Sequence, residues 1–146
     1  MSNKIGVCGI GVVGSAVVNC LERRKILIEK YDKYKNGGIG NIKSLLETEI
    51  VFLCLPTLYS EEKKEYDKTS LYEVCTYLSQ NKYTGIVVIK STVEPGTCRS
   101  LYKNFNLNVL HNPEFLTART AEQDFEYQSH IVIGGLNIDD KNIETL

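Results

Sequence analysis

The chain has 146 residues, with 17 Lys+Arg against 18 Asp+Glu and a formal net charge of −1. That length supports one domain with a full core, burying roughly 70% of the surface that the unfolded chain exposes. The balanced, scattered charge excludes a nucleic-acid footprint and an acidic tail, and no apolar run approaches the about 20 residues that span a bilayer.

In chain order, short runs rich in β-branched residues predict strands over Lys4 to Cys8, Ile26 to Tyr31, Ile50 to Leu55, Ile86 to Lys90, Val109 to His111 and Ile131 to Gly134. Most are too continuously apolar to form one face of an exposed sheet and read as strands covered on both sides, as parallel strands are. Between them, helical spacing places Val12, Ala16, Val17 and Cys20 on one stripe of Gly11 to Arg23, and Leu71, Val74, Cys75 and Leu78 on one stripe of Ser70 to Gln80. A shorter helix is expected over Gly96 to Lys103, and another short one between Asp32 and Ile50. Residues 35–41, "KNGGIGN", read as a glycine-rich turn, and residues 59–69, "YSEEKKEYDKT", as a polar loop. The last residues, "NIDDKNIETL", look like the opening turn of a further helix. Strand alternating with helix predicts an α/β fold, a Rossmann-like doubly wound and mainly parallel sheet of about six strands, in one domain over residues 1–146. The cysteines, Cys8, Cys20, Cys54, Cys75 and Cys98, are odd in number and contain no C-x-x-C pair. They read as reduced core thiols of a soluble, cytoplasmic protein rather than a disulfide framework or a metal site.

Chemistry enters at "VCGIGVVG", where Gly9, Gly11 and Gly14 form G-x-G-x-x-G between the first strand and the first helix. Gly9 permits the tight turn, Gly11 lets backbone approach a pyrophosphate, and Gly14 lets the helix lie close to the strand. The turn, with Val12 and Val13 inside it, then offers free N–H groups and a positive helix end to a diphosphate. Asp32 ends the second strand at the spacing where a carboxylate accepts the ribose hydroxyls of adenosine and repels a 2′-phosphate. NAD is therefore expected over NADP, although the adjacent Lys33 and Lys35 work against that preference. The alternative for Asp32 is an acid at a strand-to-turn junction.

Three later motifs, "FLCLPT" (residues 52–57), "VVIKSTVEPGT" (87–97) and "NPEFLTARTAEQDF" (112–125), followed by "IVIGG", make nearly the whole chain resemble the N-terminal NAD-binding domain of the UDP-glucose/GDP-mannose dehydrogenases. That resemblance implies an enzyme that oxidises a sugar C6 alcohol twice with two NAD, through an aldehyde and a cysteine thioester, to a carboxylate. UDP-glucose to UDP-glucuronate is the expected instance. It assigns Glu114 a general acid/base role, for which a carboxyl desolvated beside Phe115 and Leu116 is suited. It also places Thr92 beside the nicotinamide and an ordered water, gives Phe115 and Leu116 substrate contacts, and lines the cofactor groove with Pro56 and Thr57. The implied partners are a nucleotide-sugar substrate, a C-terminal domain carrying the nucleophilic cysteine in G-x-x-C-x-x-K-D, and a homodimer formed through a long central helix. None of those C-terminal motifs lies within the 146 residues.

Plainer readings stand beside these. Glu114 could cap a turn after Pro113, Thr92 could cap a helix beginning near Pro95, Asp124 and Phe125 could end a short helix by packing, and His111 could be structural. The chain also departs from the family pattern: Ala118 and Arg119 stand where relatives read acid–glycine, Leu58 replaces a proline, His130 replaces an arginine, and the segment after Asp32 is short. Against the enzyme-half reading stands a stand-alone NAD-binding or interaction module derived from the family.

Overall fold

A computed structural model describes residues 4–136. The helix expected over the last ten residues lies outside them. The elements in order are β1 (Ile5–Cys8), α1 (Val12–Arg23), β2 (Ile28–Tyr31), β3 (Ile50–Leu53), β4 (Tyr59–Ser60), β5 (Glu65–Tyr66), α2 (Thr69–Gln80), β6 (Ile86–Ile89), α3 (Thr97–Phe105), β7 (Asn108–His111), α4 (Ala121–Glu126) and β8 (Gly134–Gly135), with short 3-10 turns at Lys35–Gly37 and Ile42–Glu47.

Six strands form one sheet in the order β2-β1-β3-β6-β7-β8. The first five are parallel in register, so that Cys8 lies beside Tyr31 and Leu53, and Leu53 beside Ile89. The doubly wound class read from the sequence is the observed one. The connection reverses direction around β1, leaving a crevice between the carboxyl ends of β1 and β3, where open α/β sheets hold their ligands.

Strand side chains alternate between two buried layers, which is why the runs are apolar throughout. Cys8, Val51, Leu53, Val87, Ile89 and Val109 face α2 and α3, meeting Leu71, Val74, Leu78 and Leu101. Val7 faces α1 through Val17 and Val18, with Phe125 of α4 packed against the same layer. Each fully buried Leu or Val contributes about 1.5–3 kcal/mol relative to exposure.

Two expectations need correction. Residues 59–69 are not a plain loop: β4 and β5 pair antiparallel, Tyr59 and Tyr66 meet edge to face with ring centroids 5.2 Å apart, and α2 begins at Thr69. The strand expected at Ile131 to Gly134 contracts to β8, which runs antiparallel to β7, while Ile131 and Val132 are 65% and 49% exposed. Among the described residues those side chains meet no opposing layer, so their β-propensity has no packing to express itself in.

Candidate functional site

The turn after β1 is built as the glycine spacing requires. Gly9 has φ +90°, and a Cβ there would lie 2.4 Å from the Cys54 carbonyl oxygen, so only glycine fits where β1 passes β3. A Cβ on Gly14 would lie 1.8 Å from the Gly9 carbonyl oxygen, which lets α1 lie directly on the turn. Above Gly11 nothing lies within 4 Å of a Cβ position, leaving its backbone open to a ligand at the N-terminus of α1. A cavity of about 580 Å³ begins there and brings together Gly9, Gly11, Val12, Val13, Asp32 and Pro56, with Gly14 buried beneath.

Asp32 sits at the end of β2, where a two-way backbone bridge to Ile39 closes the following loop. Its Oδ2 accepts the Ile10 N–H at 2.7 Å, and its Oδ1 accepts the Tyr34 and Lys35 N–H groups at 2.9 Å each. Burial opposes ionisation, but the N–H donors of Lys35, Ile10 and Tyr34 together hold the carboxyl below its ordinary range. Asp32 thus ties the glycine turn to the β2 loop, as the junction reading expects, and also lines the cavity. Of the two lysines expected to weaken the preference for NAD over NADP, Lys33 is paired with Glu73 at 2.6 Å, whereas Lys35 donates to the Ile10 carbonyl across the turn.

The loops after β3 and β6 are tied together. Thr57 Oγ1 donates to the Thr92 carbonyl at 2.6 Å, and Ser91 Oγ to the Leu55 carbonyl at 2.6 Å. Thr92 is exposed and does not cap α3, which starts at Thr97 after Gly96. Thr57, Thr92 and Glu114 do not line the cavity holding Gly9 and Asp32, although all follow the carboxyl ends of β3, β6 and β7 on the same sheet edge.

Glu114 differs most from expectation. Its side chain is 8% exposed and its Oε2 lies 2.6 Å from Nζ of Lys90, itself 2% exposed. The contact is an ion pair whose angles do not make a hydrogen bond, so Oε2 is buried without a donor among the described residues. Lys90 Nζ donates instead to Asn112 Oδ1 at 2.7 Å and stands 5.3 Å from the centre of the Phe125 ring. The desolvating neighbours predicted for Glu114 are therefore wrong in part: Phe115 is 73% exposed, and the nearest charge is an ammonium. The turn-cap reading is displaced by the same ion pair. Glu114, Phe115 and Leu116 do line one shallow cavity, with Asp124 and His130. Sequence reasoning gave Lys90 no role. The available signal was a lysine continuing the buried run Ile86–Ile89 directly into Ser91-Thr92.

Of the remaining groups, His111 makes a contact of 3.2 Å from Nε2 to the Ser91 carbonyl, and Asp124 Oδ2 accepts from Thr117 N–H and Thr120 Oγ1 at 2.9 Å each. Asp124 therefore acts by holding the preceding turn rather than by packing. Burial pushes the Cys54 and Cys75 thiols up to about 12 and Cys8 higher still, which suits inert core thiols. Among the described residues no cluster of metal-ligating side chains occurs and no helix is long and apolar enough to cross a membrane.

A parallel doubly wound sheet with a glycine turn at its switch point and an acid at the end of β2 is the arrangement of Rossmann-like dinucleotide-binding domains. Residues 38–145 match the UDP-glucose/GDP-mannose dehydrogenase family, NAD binding domain, and the chain belongs to that family, with NAD as its cofactor. The chain is 36% identical over 107 residues to UDP-glucose 6-dehydrogenase of Rickettsia bellii, covering 69% of this chain and 24% of that protein. It is 31% identical over 125 residues to UDP-glucose 6-dehydrogenase of Campylobacter jejuni, covering 82% and 32% respectively. Among solved structures, GDP-mannose dehydrogenase from Pseudomonas aeruginosa superposes with a TM-score of 0.80 at 21% identity, and a UDP-glucose dehydrogenase from Pyrobaculum islandicum with 0.79 at 20%. Each of those two structures matches 99% of this chain and 43% of its own, and at such identity the likeness is one of fold. The chain spans about a quarter to a third of the length of these two curated relatives.

Proposed function

We propose that the chain is the NAD-binding half of a nucleotide-sugar 6-dehydrogenase that oxidises a UDP-sugar, UDP-glucose to UDP-glucuronate, with two NAD. The observation that carries this reading is the gathering of the glycine turn, Asp32, the Thr57–Thr92 contact and the Lys90–Glu114 pair on one edge of the sheet. NAD, when bound, supplies the hydride acceptor. Gly9, Gly11, Val12, Val13 and Gly14 would hold its pyrophosphate, Asp32 a ribose, and Pro56, Thr57 and Thr92 the groove leading toward the reacting carbon.

Glu114 is the acid/base of the hydrolytic half. Water attacks the acyl carbon of a thioester formed on a cysteine in the family's C-terminal domain, and the water's proton passes to the Glu114 carboxylate as the C–S bond breaks. The thiolate leaves with the electron pair, and the proton then returns to it. Lys90 fixes the carboxylate through its ammonium, 2.6 Å from the buried Oε2. Phe115 and Leu116, beside Glu114, supply apolar contact to the sugar nucleotide. Residues 1–146 form one such domain, with the C-terminal half and a homodimer completing the proposed enzyme.

The test mixes this chain with a separately expressed C-terminal half of a relative and follows NADH formation with UDP-glucose. NADH formation that Glu114→Gln reduces at least about a hundred-fold supports the acid/base assignment. Tight NAD binding with no turnover in any mixture favours a stand-alone module instead.

A further inference from the structure

The cavity holding Asp32 continues past the glycine turn into a second cavity of about 680 Å³, and the two share Gly11, Val12 and Lys35. The second is walled by Ser15 and Ala16 of α1 on one side and by residues 118–123 on the other, with Arg119 at its rim. Both volumes fall in the range of small-molecule sites. A ligand reaching from Asp32 into the second cavity must cross the backbone at Gly11 and Val12, at the N-terminus of the twelve-residue α1.

Two cations flank that crossing. Lys35 is aimed by Asp32, whose carboxylate takes the Lys35 N–H, and its ammonium reaches over the turn to the Ile10 carbonyl, 3.5 Å from Ser15 Oγ. Arg119 sits on a turn held by Asp124: Thr117 N–H and Thr120 Oγ1 both donate to its Oδ2, and Thr120 N–H donates to the Thr117 carbonyl. The Arg119 guanidinium has no hydrogen bond or ion pair among the described residues and is exposed. The one carboxylate in this cavity, Glu122, is engaged by Asn19 and Arg23 on α1. The cavity therefore keeps one uncommitted guanidinium and one ammonium beside open backbone N–H groups, an arrangement that matches a diphosphate.

We propose that Arg119 and Lys35 form a two-sided clamp on the pyrophosphate of the bound dinucleotide, with Arg119 closing from the α4 side of the glycine turn. This rests on the dinucleotide-binding reading above. Asp32 selects the ribose, whereas Arg119 selects the diphosphate. The clamp makes affinity depend on the phosphates and on ionic strength, because an exposed guanidinium–phosphate contact is screened by salt.

Calorimetric titrations of the full chain with NADH, ADP-ribose and adenosine separate these roles. Arg119→Ala should weaken NADH and ADP-ribose each by about ten-fold, the loss of one charge-assisted contact, and leave adenosine unchanged. Arg119→Lys should recover part of the affinity, and the salt dependence of NADH binding should flatten in Arg119→Ala. Because the guanidinium makes no hydrogen bond or ion pair among the described residues, the variant should melt with the parent, which circular dichroism verifies. Unchanged NADH affinity in Arg119→Ala, or an equal loss for adenosine, overturns the clamp. A folded parent that binds neither NADH nor ADP-ribose overturns the dinucleotide reading itself, and the two failures are thereby distinct.

Discussion

Replacing Lys90 by methionine keeps most of the side-chain volume and removes the ammonium that lies 2.6 Å from the Glu114 carboxylate. With the two side chains 2% and 8% exposed and 2.6 Å apart, the change leaves a buried carboxylate uncompensated and also deprives Asn112 Oδ1 of its donor. Removing one partner of a buried pair costs about 3–5 kcal/mol, so the single variant should lose about that much stability. For a chain of this length, each kcal/mol lowers the melting temperature by about 2–4 °C, which predicts a fall of roughly 6–20 °C. Glu114→Gln leaves Lys90 its contact with Asn112 and should cost less, about 1.5–3 kcal/mol. The double variant has neither charge, so its loss should fall short of the sum by at least about 1 kcal/mol. Urea unfolding of the parent, the two single variants and the double variant measures all four corners. Additivity within about 0.5 kcal/mol would refute the ion pair as the force that places Glu114.

Gly14→Ala puts a methyl group 1.8 Å from the Gly9 carbonyl oxygen, so α1 must shift; a loss of at least about 3 kcal/mol in urea unfolding is expected, with weakened NADH binding. Asp32→Ala removes the acceptor of three backbone N–H groups as well as the proposed ribose contact, so it should both lower stability and weaken NADH, whereas Asp32→Asn, which keeps one carbonyl oxygen, should lose less of each in thermal melts and titration. The hydrogen bond from Lys68, with the Tyr66 N–H, lowers the Glu94 carboxyl from 4.5 to about 2, so the contact that holds β5 and the start of α2 to residues 93–95 is present above pH 4.5 and lost as pH falls toward 2. Hydrogen exchange at the Tyr66 amide, corrected for intrinsic rate, should therefore accelerate across that interval in the parent and be fast throughout in Glu94→Ala.

The parallel strands were legible because burial on both faces leaves an unbroken apolar run, and the helices because α1 and α2 each bury one stripe. The glycine turn was legible because its spacing states a backbone requirement, which the positive φ of Gly9 and the close approach at Gly14 meet. The β4–β5 hairpin was not, since two-residue strands carry no alternation and its turn, at Glu61–Lys64, lacks the Asn-Gly or Asp-Gly signature. Ile131 and Val132 misled in the opposite way: propensity is a local property, while the layer needed to use it is not. Lys90 escaped notice because a lysine at a strand end ordinarily turns to solvent, and only the register of β6 beside β7 brings Glu114 across to cover it. Asp124 and Arg119 were likewise invisible in function, since the turn they share acquires meaning only when α4 lies against α1.

The most direct measurement of the central claim is a calorimetric titration of the chain with NADH and with NADPH, paired with amide hydrogen exchange of the free and NADH-saturated protein. Saturable binding is predicted, tighter for NADH than for NADPH, with new protection concentrated in residues 9–15 and 32–35. Tighter binding of NADPH, no saturable binding of either, or protection confined to a surface away from the glycine turn would contradict it.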